Sequence, residues 1–210
     1  MNSSKKGIWA IALVLLILVI DQVIKIRVKT SMALFDNIHV AEWFHIRFIE
    51  NNGMAMGIEV TGKLFLSMFR IIATVAIAYY IYQLIKRNCK LSYILFVSMI
   101  FAGAVGNIID CIFYGVIFSE SAPAQIAVLF PPEGGYGAWL HGKVVDMFYF
   151  PFFSFTLPSW IPLLGGSEFE FFKYIFNFAD ASISVGAAVL LLFYRKDFSL
   201  SFEKPNDSEN

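Results

Sequence analysis

The chain is poor in charge. Only 15% of its 210 residues are Asp, Glu, Lys or Arg, and the two signs balance at 16 each. Soluble globular domains are about a quarter charged. No basic surplus is left over for nucleic acid, so no nucleic-acid partner is expected. Cysteine is scarce too. Cys89 and Cys111 stand at opposite ends of one apolar run, in no Cys-x-x-Cys. On a helix they would lie about 33 Å apart, far beyond the roughly 7 Å Cα separation a disulfide allows. This removes the thiol oxidoreductase reading and the thiolate zinc reading. The three histidines, His39, His45 and His141, show no His-Glu-x-x-His spacing, so no metal is expected. Gly-x-Ser-x-Gly elbows and phosphate-binding glycine loops are missing as well, and no cofactor is expected.

What the chain does have is grease. It is 58% hydrophobic with 23 Phe, and its mean hydropathy is +0.68. Four stretches approach the roughly 20 apolar residues that span a bilayer: about 8–28, 64–85, 91–117 and 171–194. The first lacks an Ala-x-Ala site and runs into Asp21 and Lys25, so an uncleaved anchor is expected. Lys5, Lys6, Lys86, Arg87, Lys90, Arg195 and Lys196 collect on one side. By the positive-inside rule both termini are then on the cytoplasmic side. Lys25, Arg27 and Lys29 run against this rule at the outer end of the first span. Two longer outer loops, about 30–63 and 118–170, contain residues 43–49 and 144–150, whose patterns suggest strands. The expected fold is an α-helical membrane protein with four transmembrane helices and a small β-rich extracytoplasmic cap. Residues 1–198 form a single integral membrane domain and 199–210 a polar cytoplasmic tail.

Ionisable groups inside a span are costly and mark function by default. Asp21 and Lys25 are four apart on one helical face, which suits a local ion pair. Asn107 and Asp110 are three apart late in the third span, and Asn177 and Asp180 repeat this spacing in the fourth. Antiparallel neighbours would bring both pairs to one depth, near the outer membrane face. Asp146 lies in an apolar, strand-like setting. Two carboxylates brought close resist ionising together, so one keeps a proton. The ionised member can take a proton from water while the other polarises a carbonyl, which is peptide hydrolysis. The alternative is a small four-helix transporter or channel using the same Asp and Asn groups as an ion path.

Five segments, in order, resemble the motifs of the lipoprotein signal peptidases (signal peptidase II). They are Asp21-Gln-Val-Ile-Lys25, Glu50-Asn-Asn-Gly-Met-Ala-Met-Gly57, Gly103-Ala-Val-Gly-Asn-Ile-Ile-Asp110, Val144-Val-Asp-Met147 and Phe176-Asn-Phe-Ala-Asp-Ala-Ser-Ile-Ser-Val-Gly186. The resemblance implies an aspartic endopeptidase with Asp146 and Asp180 catalytic. It also implies that Asp21, Lys25, Asn51, Gly53, Asn107, Asp110 and Asn177 bind substrate or support the site. The implied substrates are prolipoproteins whose cysteine already carries diacylglyceryl, cut just before that cysteine; the implied partners are these precursors and membrane lipid, and a monomer is expected. This chain departs from the family in two ways. Cys111 stands where the family has Arg, with Lys143 a candidate replacement, and insertions occupy about 119–141 and 151–170.

Overall fold

Long apolar runs with no polar stripe build the helices. The computed structural model describes residues 1–51, 61–160, 162 and 165–202. Helix α1 spans Ser3–Lys29, α2 Thr61–Lys86 and α3 Leu91–Ile109. The chain of α3 continues through a π-helical turn, Asp110–Tyr114, into the short α4, Gly115–Ile117. Helix α5 is Phe178–Phe193, followed after an 89° bend by α6, Arg195–Phe202. Three helical stretches are long and apolar enough to cross a membrane, and a fourth is added if the bent α5–α6 pair is one span. Ile8, Leu15 and Val19 of α1 and Phe69, Ile72 and Val75 of α2 are all more than half exposed. Helices apolar on every side suit lipid rather than water.

The chain divides into two compact units. The first comprises Met1–Gln22, Leu64–Ile109 and Phe178–Asn210. Its apolar core includes Ala10, Ile81, Leu84, Tyr93, Ile94 and Val97. At one end Lys6 Nζ donates to the carbonyls of Asn88 and Cys89, at 2.8 and 2.6 Å. Arg87 donates to Ser201 O at 2.6 Å, and Lys90 pairs with Asp197 at 2.9 Å. The start of α1, the α2–α3 turn and α6 therefore share that end. Helices α3 and α5 run antiparallel in close contact. A Cβ on Gly103 would strike Ala179 O and Ile183, and one on Gly186 would lie 2.9 Å from Phe96 O. Small residues at such a crossing let backbones approach where lipid supplies no hydrophobic drive.

The second unit comprises Val23–Lys63 and Asp110–Asn177. Strands β1 (Asn37–Ala41), β2 (Phe44–Asn51), β3 (Val144–Tyr149) and β6 (Ile175–Phe176) form an antiparallel sheet in the order β1-β2-β3-β6. The period-two pattern at 43–49 and the strand-like run at 144–150 are thus β2 and β3. Strands β4 (Phe153–Thr156) and β5 (Glu168–Phe171) form a separate hairpin. One boundary differs from expectation: the apolar stretch starting at 171 is not helical until Phe178. Phe171 ends β5, and Ile175–Phe176 pair with Tyr149 and Phe148 of β3. Backbone pairing to β3 outcompetes the helix there, so Asn177 precedes α5 instead of lying within it.

The insertion at about 119–141 folds back along the π-helical turn. Phe130 N donates to Ile117 O, Tyr136 N to Phe118 O, Gly137 N to Gly115 O and Gly142 N to Cys111 O, all within 2.7–2.9 Å. A helix end leaves carbonyls without intrahelical partners, and the insertion supplies N–H groups to them. Gly142 is packed so tightly that any Cβ would overlap Asp110 O and stand 3.0 Å from Cys111 O. Gly142→Ala is expected to destabilise the protein by about 1–3 kcal/mol through overpacking. Gly137→Ala, whose Cβ would meet nothing closer than 3.8 Å, is the control. Thermal unfolding in detergent should show a clear loss for the first and little change for the second.

Candidate active site

In the sheet unit, Asp146 stands on β3, 2% exposed. Its neighbours in the sheet supply amide donors. Asn177, just past β6, donates Nδ2 to Asp146 Oδ1 at 2.6 Å, and Asn51, at the end of β2, donates Nδ2 to Oδ2 at 3.3 Å. The register that sets Ile49 opposite Asp146 and Asn51 opposite Val144 places Asn51 there. Each carboxylate oxygen thus accepts one side-chain N–H, which offsets the loss of water on burial.

Below β3 lies a fully buried ion pair. Lys25 Nζ is 2.8 Å from Asp110 Oδ2, with both side chains at 0% exposure. The same oxygen accepts the Val145 backbone N–H at 3.3 Å. Asp110 therefore pins the strand residue beside Asp146. The cation at Asp110 is Lys25, from α1. Lys143, the candidate replacement for the family Arg, reaches Glu120 and Glu50 instead. Burial disfavours the Lys143 charge, but the Glu120 and Glu50 carboxylates outweigh it and hold the ammonium above its usual range. Burial pushes the neighbouring Tyr136 hydroxyl up as well, against the N–H donated by Lys143.

A second polar cluster escaped the sequence reading. Lys29, at 0% exposure, pairs with Glu50 and donates to Ser121 Oγ at 2.8 Å. Ser121 in turn donates to Glu50 at 2.9 Å. The available signal was the spacing of Lys25 and Lys29, one helical turn apart at the outer end of α1. With Asp110 and Glu50 opposite them, these two lysines add no net charge there.

The helical unit holds the other predicted residues. Asp180, in the first turn of α5, accepts Asn107 Nδ2 on Oδ1 at 2.7 Å. Asp21, at 0% exposure, accepts the Ala179 backbone N–H at 2.9 Å. It caps the opening turn of α5 with a carboxylate from another helix, satisfying a donor that no helix can satisfy itself. Gln22 Nε2 bridges Asp21 Oδ2, at 3.1 Å, and Gly106 O, at 3.2 Å. A Cβ at Gly106 would lie 2.8 Å from Asp21 Oδ2. Asn107 donates to Asp180, while Asp110 takes Lys25 and the Val145 N–H. Gly53 lies outside the described residues.

Apolar spanning helices that carry buried, amide-held carboxylates define a membrane enzyme of the carboxylate class. The chain belongs to the signal peptidase II family: the family model described as signal peptidase (SPase) II matches residues 13–195, which makes it an aspartic endopeptidase. A lipoprotein signal peptidase from Porphyromonas gingivalis is 55% identical over 190 residues, covering 90% of this chain and 84% of the relative. One from Amoebophilus asiaticus is 34% identical over 212 residues, covering 97% and 85%. A solved structure described as a bacterial membrane enzyme shares the fold, with a TM-score of 0.59 at 24% identity, over 90% of this chain and 93% of that one. Nothing in these relatives supports the transporter or channel alternative.

Removing one partner of a buried ion pair strands the other charge. Glu50→Gln is expected to cost about 3–5 kcal/mol, and the double change Lys29→Met with Glu50→Leu considerably less. A double-mutant cycle read by thermal unfolding checks this.

Proposed function

We propose that Asp146 and Asp180 are the carboxylate pair with which this signal peptidase hydrolyses its substrate. The substrate is a prolipoprotein, and the reaction removes its signal peptide. In the mechanism proposed, one aspartate takes a proton from the attacking water while the other gives a proton to the scissile carbonyl oxygen. The tetrahedral intermediate then collapses as the amide nitrogen is protonated and leaves. No covalent intermediate is needed.

The observation that carries this reading is the matched holding of the two aspartates. Each accepts a side-chain amide N–H, Asp146 from Asn177 and Asp180 from Asn107. Donors fixed in this way hold a carboxylate in one rotamer, as positioned acid–base chemistry requires. Asp110, Lys25 and Asn51 position Asp146, and Asp21 positions the turn that carries Asp180. Gly53 is assigned a supporting role by the motif resemblance alone.

The substrate assignment goes finer than family membership. Cleavage just before a diacylglyceryl cysteine suits an enzyme built on apolar helices long enough to span a bilayer, since a lipid-modified precursor stays in the membrane. The cytoplasmic placement of both termini is supported by the Lys6, Arg87 and Lys90 contacts gathered at one end of the helical unit. About 24 Å of helix separates that end, at Leu91, from Asn107. The proposed site therefore opens towards the outer face. The enzyme is proposed to act as a monomer in the bacterial inner membrane.

The test is cleavage of a diacylglyceryl-modified precursor by the purified enzyme. Asp146→Asn and Asp180→Asn should each lower the rate by at least about 10²–10⁴-fold, the range of a lost acid–base group, while unfolding stays cooperative. Near-full activity in either variant would refute the pair.

A further inference from the structure

The β4–β5 hairpin has two different faces. Its register sets Phe153 opposite Phe171 and Phe155 opposite Phe169. Because side chains alternate along a strand, these four rings share one face, and Ser154, Thr156 and Glu168 share the other. Phe153 and Phe171 stack at 4.6 Å between centroids with 8° between their planes, and Phe155 and Phe169 lie 5.1 Å apart. All four rings stay between 43% and 53% exposed. Trp160, in the turn closed by the Leu157–Ser167 and Gly166–Leu157 backbone bonds, is 79% exposed.

A two-stranded hairpin is marginal in water on its own, and exposed apolar patches of this kind mark an interaction surface. The rings also continue beyond the hairpin. Phe171 contacts Phe152, Phe152 contacts Phe172, and Phe172 meets Phe176, each within 6.0–6.5 Å. Phe176 is two residues before α5 in sequence, and α5 exposes Val185, Leu191 and Leu192 as a lipid-facing helix does. The aromatic track therefore ends, in sequence, one residue short of the start of a helix apolar enough to enter the bilayer.

We propose that the β4–β5 hairpin is a membrane-docking element that lays its phenylalanine face and Trp160 into the headgroup–acyl boundary of the outer leaflet. Aromatic side chains, Trp above all, are favoured at that depth. The Ser154, Thr156 and Glu168 face stays in water. A second copy of the chain and a protein partner are the competing occupants, and neither accounts for a track that ends, in sequence, beside the start of a spanning helix. The proposal goes beyond the catalytic reading and does not depend on which residues do the chemistry.

The experiment uses the full chain in nanodiscs holding one copy each. Trp9, Trp43 and Trp139 are replaced by Phe, leaving Trp160 as the only indole. If that variant does not fold, the difference between the unaltered protein and Trp160→Phe gives the same signal. Lipids brominated at a shallow acyl position should quench Trp160 by roughly twofold or more, with weaker quenching from deep bromines. Phe153→Ser with Phe155→Ser should remove most of that quenching while leaving precursor cleavage in detergent unchanged. Water-like emission indifferent to bromine would overturn the proposal. So would shielded emission that bromine does not reach, or shielding that appears only when nanodiscs hold two copies.

Discussion

The Lys25–Asp110 ion pair is the contact on which the sheet unit depends. In a low-dielectric setting neither charge is tolerated without the other. The 2.8 Å approach at 0% exposure supplies both. The pair has a further consequence, because Asp110 Oδ2 also takes the Val145 N–H. A strand that enters from a long insertion is thereby registered against the end of a helix. Asp146 follows one residue later, and the amides of Asn51 and Asn177 find its two oxygens. Lys29, Glu50 and Ser121 extend the same logic one helical turn on.

Much of this arrangement was legible in the sequence, for identifiable reasons. The hydrophobic runs of α1, α2 and α3 are long enough to name themselves, the alternation in residues 43–49 marks β2, and the strand-like run at 144–150 marks β3. Asp146, Asp180 and their asparagines came from motif spacing together with the family resemblance. The start of the last helix did not. Phe171, Phe172, Ile175 and Phe176 are as apolar as a span, and no periodicity in six residues tells a β-strand partner from a helical turn. The π-helical turn at Asp110 leaves no mark in composition either. Lys143, the candidate replacement for the family Arg, reaches Glu120 and Glu50 instead.

The insertion at about 119–141 acquires a physical role from its hydrogen bonds. It caps the carbonyls at the end of the third span, from Cys111 to Phe118, and it ends at Gly142, where a side chain would not fit. In this chain the residue after Asp110 is Cys111, buried and uncharged. Beside it, Lys25 holds the Asp110 carboxylate and the insertion holds the backbone carbonyls.

The carboxylate of Asp21 meets its Ala179 partner across 158 residues of sequence. In a chain made and inserted from its N-terminus, α1 enters the membrane first and α5 last. The cap for the last helix is therefore in place before that helix exists, and the opening turn of α5 is completed only on arrival beside α1. Asp180 is in that turn, and its amide donor Asn107 also comes from an earlier helix. Biogenesis thus has an order built into it: a nascent chain that stops before α5 already carries Asp21 and Asn107, the groups that receive that helix, and lacks only the turn they would hold.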